Sequence, residues 1–336
     1  MSVFASGTGI GSWPGISPRT AAEVIVGELL QLPYVAELPA RGIGADMIGR
    51  AGALLVDIAV DVVPRGYRIA ARPGSVTRRA TSMLSEDLDA LEEAWEKTGG
   101  ARPGRAAKIQ APGPITLAAQ LELANGHRAI TDSGAVRDLA ESLAEGMAVQ
   151  RADLERRLAA PVAVQFDEPL LSAALAGRLT GVTALSPVHP VDETVAIGLL
   201  DHCVARLGGE ILLHSCTAEL PWKVLQRSMI QAISVDVSAL GAEDLDGLGQ
   251  FVDSGRSVVL GLLPVTAGDQ RPSVEELAGS AAALTDRLGF PRSVLGERIG
   301  ISPACGLAGA TEAWARQATG LTQRAATAIA EDADAV

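Results

Sequence analysis

The chain has 336 residues, of which 48% are hydrophobic and 20% are charged, so it can form one large domain or two small ones around a sizeable core. Its net charge of −12 argues against nucleic acid and anionic membrane surfaces as partners, because like charges repel. Three cysteines do not form a disulfide framework, and they predict a reducing, cytoplasmic location.

The N-terminal segment, residues 1–13, has no basic region followed by an apolar one, so we expect no signal peptide. No uncharged apolar run reaches the length of about 18 residues that a membrane-spanning helix needs. The longest candidate, residues 51–63, carries Asp57 and Asp61. The sequence therefore predicts no membrane partner.

Eight short runs rich in β-forming residues alternate with longer helical stretches along the chain. Strands are predicted at residues 7–11, 34–38, 107–111, 162–167, 211–215, 232–237, 257–263 and 299–303. Several of the intervening helices begin with Ser, Thr or Asp followed by an acidic residue, as helix N-termini prefer. Eight strands, each followed by a helix, over about 300 residues predict an α/β fold of the TIM-type (β/α)8 barrel class. A doubly wound open sheet is the competing architecture.

Two stretches do not fit the regular alternation. Residues 39–106 are too long for one connection, and they predict a long insertion after the second strand, with a small excursion or hairpin at residues 63–75. Residues 170–190 contain a further apolar piece that is either a ninth strand or a loop. We predict a single domain over residues 1–331, followed by a frayed acidic tail at residues 332–336.

Polar residues fall repeatedly at the C-terminal ends of the predicted strands, where a (β/α)8 barrel places its active site. They are Ser12, Glu37, the Gly113-Pro114 pair, Asp167 and Glu168, His214 and Cys216, Asp236 and Cys305. Each residue alone is a weak indication, whereas their shared location is a stronger signal. We therefore place the candidate site at the mouth of the predicted barrel.

His214 and Cys216 stand two residues apart at the end of the fifth predicted strand, and Cys305 follows the eighth. Alternation with period two places the imidazole and the first sulfur on one face. Three nitrogen and sulfur ligands that converge on one point predict a zinc site, and an exchangeable fourth position makes such a site catalytic. The alternative is a buried histidine bonded to backbone, with cysteines that serve as small core residues. We assign that core role to Cys203.

Asp236 is an acid within an otherwise apolar strand, so its burial requires a partner. A metal ion or a metal-bound substrate would provide one, and a salt bridge within the barrel is the alternative. Glu219, three residues after Cys216, is the rival for a fourth ligand, although it better suits the first turn of the following helix. His127 and His189 lie in predicted loops without a cysteine nearby, and we predict ordinary surface residues there.

Asp167 and Glu168 are adjacent, so a regular strand points them to opposite faces. One of them is expected at the barrel mouth, where a carboxylate suits an ammonium group, and Glu37 is a second candidate. Structural ion pairs are the alternative for either acid. The segment GTGIGSW lacks the third glycine of a dinucleotide-binding turn. Its backbone amides and the Ser12 hydroxyl instead suit a carboxylate.

Segments of this chain resemble the C-terminal catalytic barrel of cobalamin-independent methionine synthase. The matching pieces are IGSWP (10–14), the acid of VAELPARG (Glu37), APGPIT (111–116), QFDEP (165–169), HSC (214–216), SVDVS (234–238) and SPACGL (302–307). They occur in the family's order and nearly span the chain, and the combination of HSC with the late CGL is fairly specific. The resemblance implies that a zinc-bound homocysteine thiolate attacks a methyl group.

Carried over by position, the resemblance implies that zinc is held by His214, Cys216 and Cys305. Asp236 stands where the family has a glutamate ligand. The resemblance assigns the amino acid portion of homocysteine to Ile10, Gly11, Ser12, Glu37 and Asp167. Asp167 and Asp236 are the candidate catalytic acids. Zinc would lower the pKa of the thiol and deliver the far more nucleophilic thiolate at neutral pH.

Several features depart from the family pattern. Asp236 is one methylene shorter than glutamate. The loop after the seventh predicted strand, GLLPVTAGDQ, has Pro264 and Thr266 but no histidine, the residue proposed in long members to protonate a folate leaving group. AGATE follows the CGL of Cys305, where the family usually has basic residues. The chain resembles the short core form without an N-terminal barrel, for which a methylfolate, a methylcorrinoid protein or another donor is expected.

We therefore predict a zinc-dependent methyltransferase that moves a methyl group to a small thiol, with homocysteine as the leading candidate and methionine as the product. Within enzymes, the alternative is a divergent paralogue that acts on another thiol, which Asp236 and the altered loop both permit. A second alternative is a binding protein that keeps the zinc and the thiol pocket but has lost methyl transfer. The third is a barrel retained as an assembly partner without metal.

Overall fold

The structure is a computed structural model that describes residues 2–181, 187–268 and 271–335. Its strands are β1 (Ala59–Val63), β2 (Gly66–Ala70), β3 (Ala107–Pro112), β4 (Leu121–Glu122), β5 (Val162–Asp167), β6 (Ile211–Ser215), β7 (Ala232–Asp236), β8 (Ser257–Leu263) and β9 (Ile299–Pro303). Its helices are α1 (Pro18–Glu28), α2 (Met47–Ala51), α3 (Ser75–Lys97), α4 (Pro114–Gln120), α5 (Ser133–Leu158), α6 (Leu171–Leu175), α7 (Glu193–Leu207), α8 (Trp222–Arg227), α9 (Asp244–Asp253), α10 (Val274–Arg287), α11 (Arg292–Arg298) and α12 (Glu312–Glu331).

Six strands form one sheet in the order β3-β5-β6-β7-β8-β9, and neighbouring strands run parallel. These strands are almost wholly buried, which explains their nearly continuous apolar runs. Because the strands are parallel, their C-terminal ends meet at one edge. The register places His214 between Asp167 and Ser234 on the neighbouring strands, so polar side chains gather at that edge.

The predicted count of eight strands is not confirmed, because residues 7–11 and 34–38 do not form strands. Their ladder contacts are single parallel bridges, from Gly7 to Ile301 of β9, from Ser12 to Glu37, and from Tyr34 to Lys108 of β3. Glycine weakens a strand interior, and proline cannot donate to a ladder. The first segment is rich in glycine, and Pro33 and Pro39 flank the second. The bridges nevertheless link the two edges of the sheet, so the sheet curls.

The long connection at residues 39–106 contains the predicted hairpin. β1 and β2 pair antiparallel, with Val63 opposite Gly66, and β2 also pairs with the short β4. The rest of this connection consists mainly of α2 and α3, which pack against each other. Of the apolar piece considered as a ninth strand, residues 182–186 lie outside the described residues.

Several helices begin where the sequence provides caps. The side chain of Asp132 accepts hydrogen bonds from the first turn of α5, and Ser273 with Glu276 forms a capping box at α10. The last helix, α12, ends at Glu331, where the acidic tail was predicted to begin. Among the helices of the described residues, none combines the length and the apolar character that a membrane span requires.

The sheet face that carries His214 changes from apolar to polar towards the C-terminal ends of the strands. A small apolar cluster is formed by Phe4, Leu32, Ala106, Ala163, Leu212, Ala232 and Val259. Leu212 precedes His214 by two residues, and Ala163 precedes Gln165 in the same way, so each pair shares a strand face. Packed hydrophobic residues therefore support a polar layer nearer the C-terminal ends, while a larger apolar core involves the surrounding helices.

Candidate functional site

A cavity of about 310 Å³ opens at the C-terminal ends of the strands. It is lined by residues that the sequence singled out, in two groups. We call His214, Cys216 and Cys305 the sulfur side, and Ile10, Gly11, Ser12, Glu37 and Asp167 the carboxylate side. A cavity of this size suits a small molecule. The fold therefore brings to one place all but one of the residues that were assigned to zinc or to homocysteine, and the exception is Asp236.

The sulfur side assembles three ligand atoms from two distant parts of the chain. His214 lies in β6 with Cys216 just beyond it, whereas Cys305 follows β9. One nitrogen or sulfur atom from each residue lies within 4.8 Å of the others, and the two sulfurs are 3.1 Å apart. Both cysteines are free thiols. This donor set is one that zinc prefers in proteins.

The imidazole of His214 is oriented by the neighbouring strand. Its Nδ1 lies 3.1 Å from Oγ of Ser234 on β7. Its Nε2 is buried and has no hydrogen-bond partner among the described residues. A buried polar atom without a partner costs free energy that a ligand can recover. One ring nitrogen is thus fixed by a hydroxyl, and the other is available to a metal ion.

The two thiols of the sulfur side polarise each other. A hydrogen bond from Cys305 lowers the pKa of Cys216 to about 7. The same hydrogen bond, together with burial, raises the pKa of Cys305 to about 12, and His214 opposes that rise. Cys216 therefore ionises near neutral pH, as a metal ligand must.

The two acids considered as a fourth ligand lie outside the cluster of ligand atoms. Oδ1 of Asp236 accepts hydrogen bonds from the N–H and the hydroxyl of Ser238, at 2.9 and 2.6 Å. Asp236 is still close enough to raise the pKa of Cys216. Glu219 is exposed and pairs with Arg178, and the first turn of α8 contains no acid. The expected role of Glu219 at that helix is therefore wrong, because an available guanidinium binds its carboxylate instead.

Asp167 and Glu168 point to opposite sides, as their adjacency predicts. Asp167 lines the cavity, and its Oδ1 accepts a hydrogen bond from Nε2 of Gln165 at 2.7 Å. Burial raises the pKa of Asp167, while His214 and Lys108 oppose the rise. Asp167 is therefore the member of the pair that can meet a ligand.

Glu168 is wholly buried and caps the start of α4. Its carboxylate accepts hydrogen bonds from the backbone N–H groups of Ile115 and Thr116, each at 2.9 Å, and from the Thr116 hydroxyl at 2.6 Å. A Cβ at Gly113 would lie 2.2 Å from the Glu168 carboxylate. The Gly113-Pro114 pair therefore serves this cap, and neither residue lines the cavity.

Glu37 is supported by a buried ionic network that the long connection supplies. Arg50 of α2 lies 4.0 Å from the Glu37 carboxylate. Arg50 also contacts Asp87 of α3, which binds Arg41 as well, at 2.6 Å. Burial raises the pKa of Glu37 to about 7, and Arg50 opposes the rise. The charge of Glu37 therefore changes near neutral pH, and a bound cation would favour its ionised form.

Residues 10–12 form part of the cavity wall and join it to the turn that carries Cys305. The carbonyl of Ser12 accepts a hydrogen bond from the N–H of Leu307 at 2.8 Å. Gly306 permits this approach, because a Cβ there would lie 2.1 Å from Oγ of Ser12. The two sides of the cavity are thus connected through backbone contacts.

Two buried polar side chains beneath the cavity are absent from the predicted site. Lys108 on β3 and Gln165 on β5 are both fully buried. Nζ of Lys108 donates to Oε1 of Gln165 at 2.6 Å and to the carbonyl of Ile10 at 3.3 Å. A sequence signal for them exists, since each interrupts an apolar strand. Gln165 also precedes Asp167 by two residues and so shares its face.

A larger cavity, of about 690 Å³, lies between α5, α7 and residues 187–192. None of the predicted site residues lines it, and His189 at its edge is exposed, as expected of a surface residue. Nearby, Cys203 of α7 is buried and contacts the carbonyl of Ala140 at 3.7 Å, as predicted for a core cysteine. The smaller cavity is the better candidate, because it holds the ligating and titratable groups.

One family match and two solved structures relate this chain to known proteins. Residues 4–328 match the family described as the catalytic domain of cobalamin-independent synthase. A B12-independent methionine synthase from Shewanella sp. W3-18-1, solved in complex with selenomethionine, has 14% identity and a TM-score of 0.64, covering 99% of this chain and 100% of that chain. A methyltransferase from Methanosarcina mazei has 14% identity and a TM-score of 0.56, and the match covers 98% of this chain and 92% of that chain. No curated protein matches this chain significantly.

Proposed function

The chain belongs to the family of cobalamin-independent synthase catalytic domains, and from this premise we propose that it is a zinc-dependent methyltransferase that converts homocysteine to methionine. One observation carries the proposal. The three ligand atoms of the sulfur side lie within 4.8 Å of one another, in the wall of a cavity that also contains two carboxylates. The family supports methyltransferase chemistry, and the cavity supports the choice of acceptor.

Zinc fits the sulfur side. Nε2 of His214 is a buried ring nitrogen without a hydrogen-bond partner in the described parts of the chain, and Cys216 and Cys305 offer two sulfurs. One imidazole and two thiolates leave the fourth position of a tetrahedral zinc site for a substrate. When bound, Zn²⁺ supplies the Lewis acidity that keeps a thiol ionised at neutral pH.

Asp236 belongs to this proposal as a weaker ligand. Its Oδ1 is held by Ser238, so the side chain would have to leave that turn to reach a metal ion. Its effect on the pKa of Cys216 supports a position near the sulfur side. We therefore assign the main ligation to the histidine and the two cysteines.

An amino acid acceptor fits the carboxylate side. Glu37 and Asp167 offer two carboxylates to an ammonium group. The Ser12 hydroxyl and the amides of residues 10–12 are proposed to hold the carboxylate of the acceptor. Homocysteine combines these two groups with a thiol that reaches the sulfur side. The Shewanella protein is described in complex with selenomethionine, which has the same amino acid end.

Asp167 is also proposed to take the proton that the acceptor thiol loses. It lies opposite His214 in the ladder between β5 and β6, so it adjoins the sulfur side. Its buried carboxyl has a raised pKa, which favours uptake of a proton. Asp167 would thus both orient the acceptor and act as its base.

We further propose that residues 7–11 and 34–38 complete a (β/α)8 barrel within one domain of residues 1–331. The N–H of Thr8 donates to Ile301 of β9, and the N–H of Val35 donates to Lys108 of β3, so both edges of the sheet continue into these segments. The long insertion after the second strand would then comprise α2, the hairpin and α3. Residues 332–336 form its acidic tail.

The methyl donor is proposed to be a methylcorrinoid protein, with a methylfolate as the alternative. The described part of the loop after β8, residues 264–268, contains no histidine, and Trp314 binds the Pro264 carbonyl at 3.1 Å. A corrinoid leaving group needs no proton, whereas a folate does. The three free thiols support a reducing, cytoplasmic setting.

A methyl-transfer assay tests the proposed function. Zinc-loaded protein is incubated with L-homocysteine and either methylcobalamin or 5-methyltetrahydrofolate, and methionine is quantified. We expect methionine with at least one donor, and a rate at least about a hundredfold lower in Cys305→Ser, because a lost ligand removes thiol activation. The matched control, Cys203→Ser, should keep the rate. No methionine with either donor, from protein that contains zinc, would contradict the assignment of homocysteine.

A divergent paralogue that acts on another thiol is the second candidate. Pro264 and Thr266 in the loop after β8 and the engagement of Asp236 by Ser238 favour it. Methylation of a different small thiol, without methionine formation from homocysteine, would identify this function.

A further inference from the structure

Lys108 and Gln165 form a hydrogen-bonded pair beneath the cavity. Nζ of Lys108 donates to Oε1 of Gln165 at 2.6 Å. Nε2 of Gln165 donates to the carbonyl of Ile10 and to Oδ1 of Asp167, each at 2.7 Å. Gln165 and Ile10 are 155 residues apart in sequence. The pair therefore ties two separate parts of the carboxylate side to one buried support.

The partners of Gln165 leave its amide one orientation. A backbone carbonyl can only accept a hydrogen bond, so the amide nitrogen must face Ile10, and Oε1 then faces Lys108. Both N–H groups of the amide are used, one on Ile10 and one on Asp167. Oδ1 of Asp167 is thereby held as an acceptor, which leaves Oδ2 for a ligand in the cavity that Asp167 lines.

Keeping these polar groups in the interior is unfavourable for stability alone. Burial lowers the pKa of Lys108 to about 7, although Asp167 and Glu37 oppose the shift. The ring of Tyr34 has its centroid 5.2 Å from Nζ, and this contact offsets only part of the desolvation. Well-packed hydrophobic residues often stabilise such positions better, so a role at the cavity explains this pair better than stability does.

We propose that Lys108 and Gln165 are positioning residues that make the cavity selective for thiols bearing an α-amino group. The inference deepens the proposed function and rests on it. Gln165 holds the Asp167 carboxylate in one rotamer and in an accepting state, and Lys108 fixes the amide that does so. A carboxylate held in this way attracts an ammonium group, whereas one that can rotate away distinguishes charged from neutral ligands poorly.

The test compares two thiols that differ only in the amino group. L-homocysteine and 4-mercaptobutanoate are titrated by calorimetry into zinc-loaded wild type, Lys108→Met and Gln165→Glu. We expect the wild type to prefer homocysteine by about tenfold or more, as hydrogen bonds to charged groups allow. In both variants the ratio of the two Kd values should fall to within about threefold of unity, mainly through weaker homocysteine binding.

Gln323→Glu is the matched control. Gln323 is a buried glutamine that bonds to the N–H of Leu30 and to Thr327, outside the cavity, so this variant should keep the wild-type ratio. Zinc content and thermal unfolding establish which variants are folded. If Lys108→Met does not fold, the result for Gln165→Glu tests the positioning role by itself. Glutamate is nearly isosteric with glutamine, and this variant retains Lys108.

The outcomes separate the two proposals. If a folded, zinc-containing Gln165→Glu protein keeps the wild-type ratio of the two Kd values, the positioning role is overturned and the proposed function stands. A wild type that binds 4-mercaptobutanoate as tightly as homocysteine also overturns the positioning role alone. A zinc-loaded wild type that binds neither thiol overturns the proposed function, and the positioning role with it.

Discussion

The two sides of the cavity differ in the partners that the protein provides for the groups facing a ligand. On the carboxylate side, Asp167 accepts from Gln165, and Glu37 lies beside Arg50. On the sulfur side, Nε2 of His214 has no hydrogen-bond partner among the described residues. Neighbouring donors and cations hold a carboxylate in place, whereas a buried unpaired nitrogen gains free energy from a ligand. The difference indicates that recognition is built into the fold and that reactivity depends on what the sulfur side binds.

This contrast follows from which elements supply each side. The carboxylate side draws on the long connection, where α2 and α3 contribute Arg50 and Asp87. The sulfur side draws on the ends of β6 and β9, and Ser234 orients the imidazole. Five predictions test whether the two sides behave as differently as their contacts suggest.

The largest effect is expected on the sulfur side. Cys305→Ser should lose nearly all the zinc that the wild type carries, because a serine hydroxyl is a poor zinc ligand at neutral pH. Metal analysis of purified protein should give about one zinc per chain for the wild type. The matched control is Cys203→Ser in the core of α7, which should retain zinc. Equal zinc in the two variants would remove Cys305 from the proposed site.

The next effect concerns the support of the carboxylate side. Asp87→Asn leaves Arg50 and Arg41 buried without their shared carboxylate, and this should lower the free energy of unfolding by about 3 kcal/mol. Glu219→Gln removes an exposed pair with Arg178 and should leave the free energy of unfolding nearly unchanged. Urea unfolding measures both. A similar small loss in the two variants would mean that the buried network contributes no more than a surface pair.

The carboxylate side should also show a defined pH dependence. Burial raises the pKa of Glu37 to about 7, so its carboxyl is mainly protonated at pH 6 and mainly ionised at pH 8. L-methionine carries an ammonium group but no ionisable sulfur. Its affinity should therefore rise by up to about tenfold between these pH values, as measured by calorimetry, while Glu37→Gln should bind weakly with little pH dependence. An affinity that falls with rising pH would contradict this assignment.

The raised pKa of Glu37 affects stability in the opposite direction to ligand affinity, because its contribution to stability falls as pH rises. The ordinary pKa of a glutamate is 4.5, and that of folded Glu37 is about 7, so the folded state binds a proton more tightly than the unfolded state. The contribution of Glu37 to stability is therefore fully present below pH 4.5 and is lost as pH rises through about 7. In Glu37→Gln, this part of the pH dependence should disappear.

The smallest effect is expected at Asp236. Asp236→Glu adds the methylene that the family's ligand has, so the carboxylate should reach the sulfur side and raise zinc affinity severalfold, about two- to fivefold. Competition with a chelator measures the change. Asp236→Asn provides the control, because its side-chain oxygen can still accept hydrogen bonds from Ser238 but carries no negative charge for a metal ion. Unchanged affinity in all three proteins would exclude Asp236 from the metal site.

The sulfur side was largely predictable from sequence, because its pattern is local. His214 and Cys216 alternate along one strand, and Cys305 is the only other cysteine at a strand end, so period two and parallel strands suffice to bring the three together. The carboxylate side was only partly predictable. The adjacency of Asp167 and Glu168 indicated opposite faces, but the side that each one takes depends on α4, whose start needs the cap that Glu168 provides.

Other features depend on contacts that no local pattern encodes. Lys108 and Gln165 look like polar interruptions of apolar strands, and their role emerges only when β3, β5 and Ile10 are brought together. The count of eight strands is not confirmed for a similar reason. Residues 7–11 and 34–38 have the composition of strands, but glycine in the first and the prolines around the second reduce their pairing to single bridges.

X-ray absorption at the zinc edge tests the central claim most directly, because it counts the sulfur atoms bound to the metal. For the wild type we expect about two sulfurs at about 2.3 Å and a nitrogen at about 2.0 Å, and L-homocysteine should raise the count to three sulfurs. A spectrum without sulfur neighbours, or a sulfur count that homocysteine leaves unchanged, would contradict a zinc site that binds and activates the acceptor thiol.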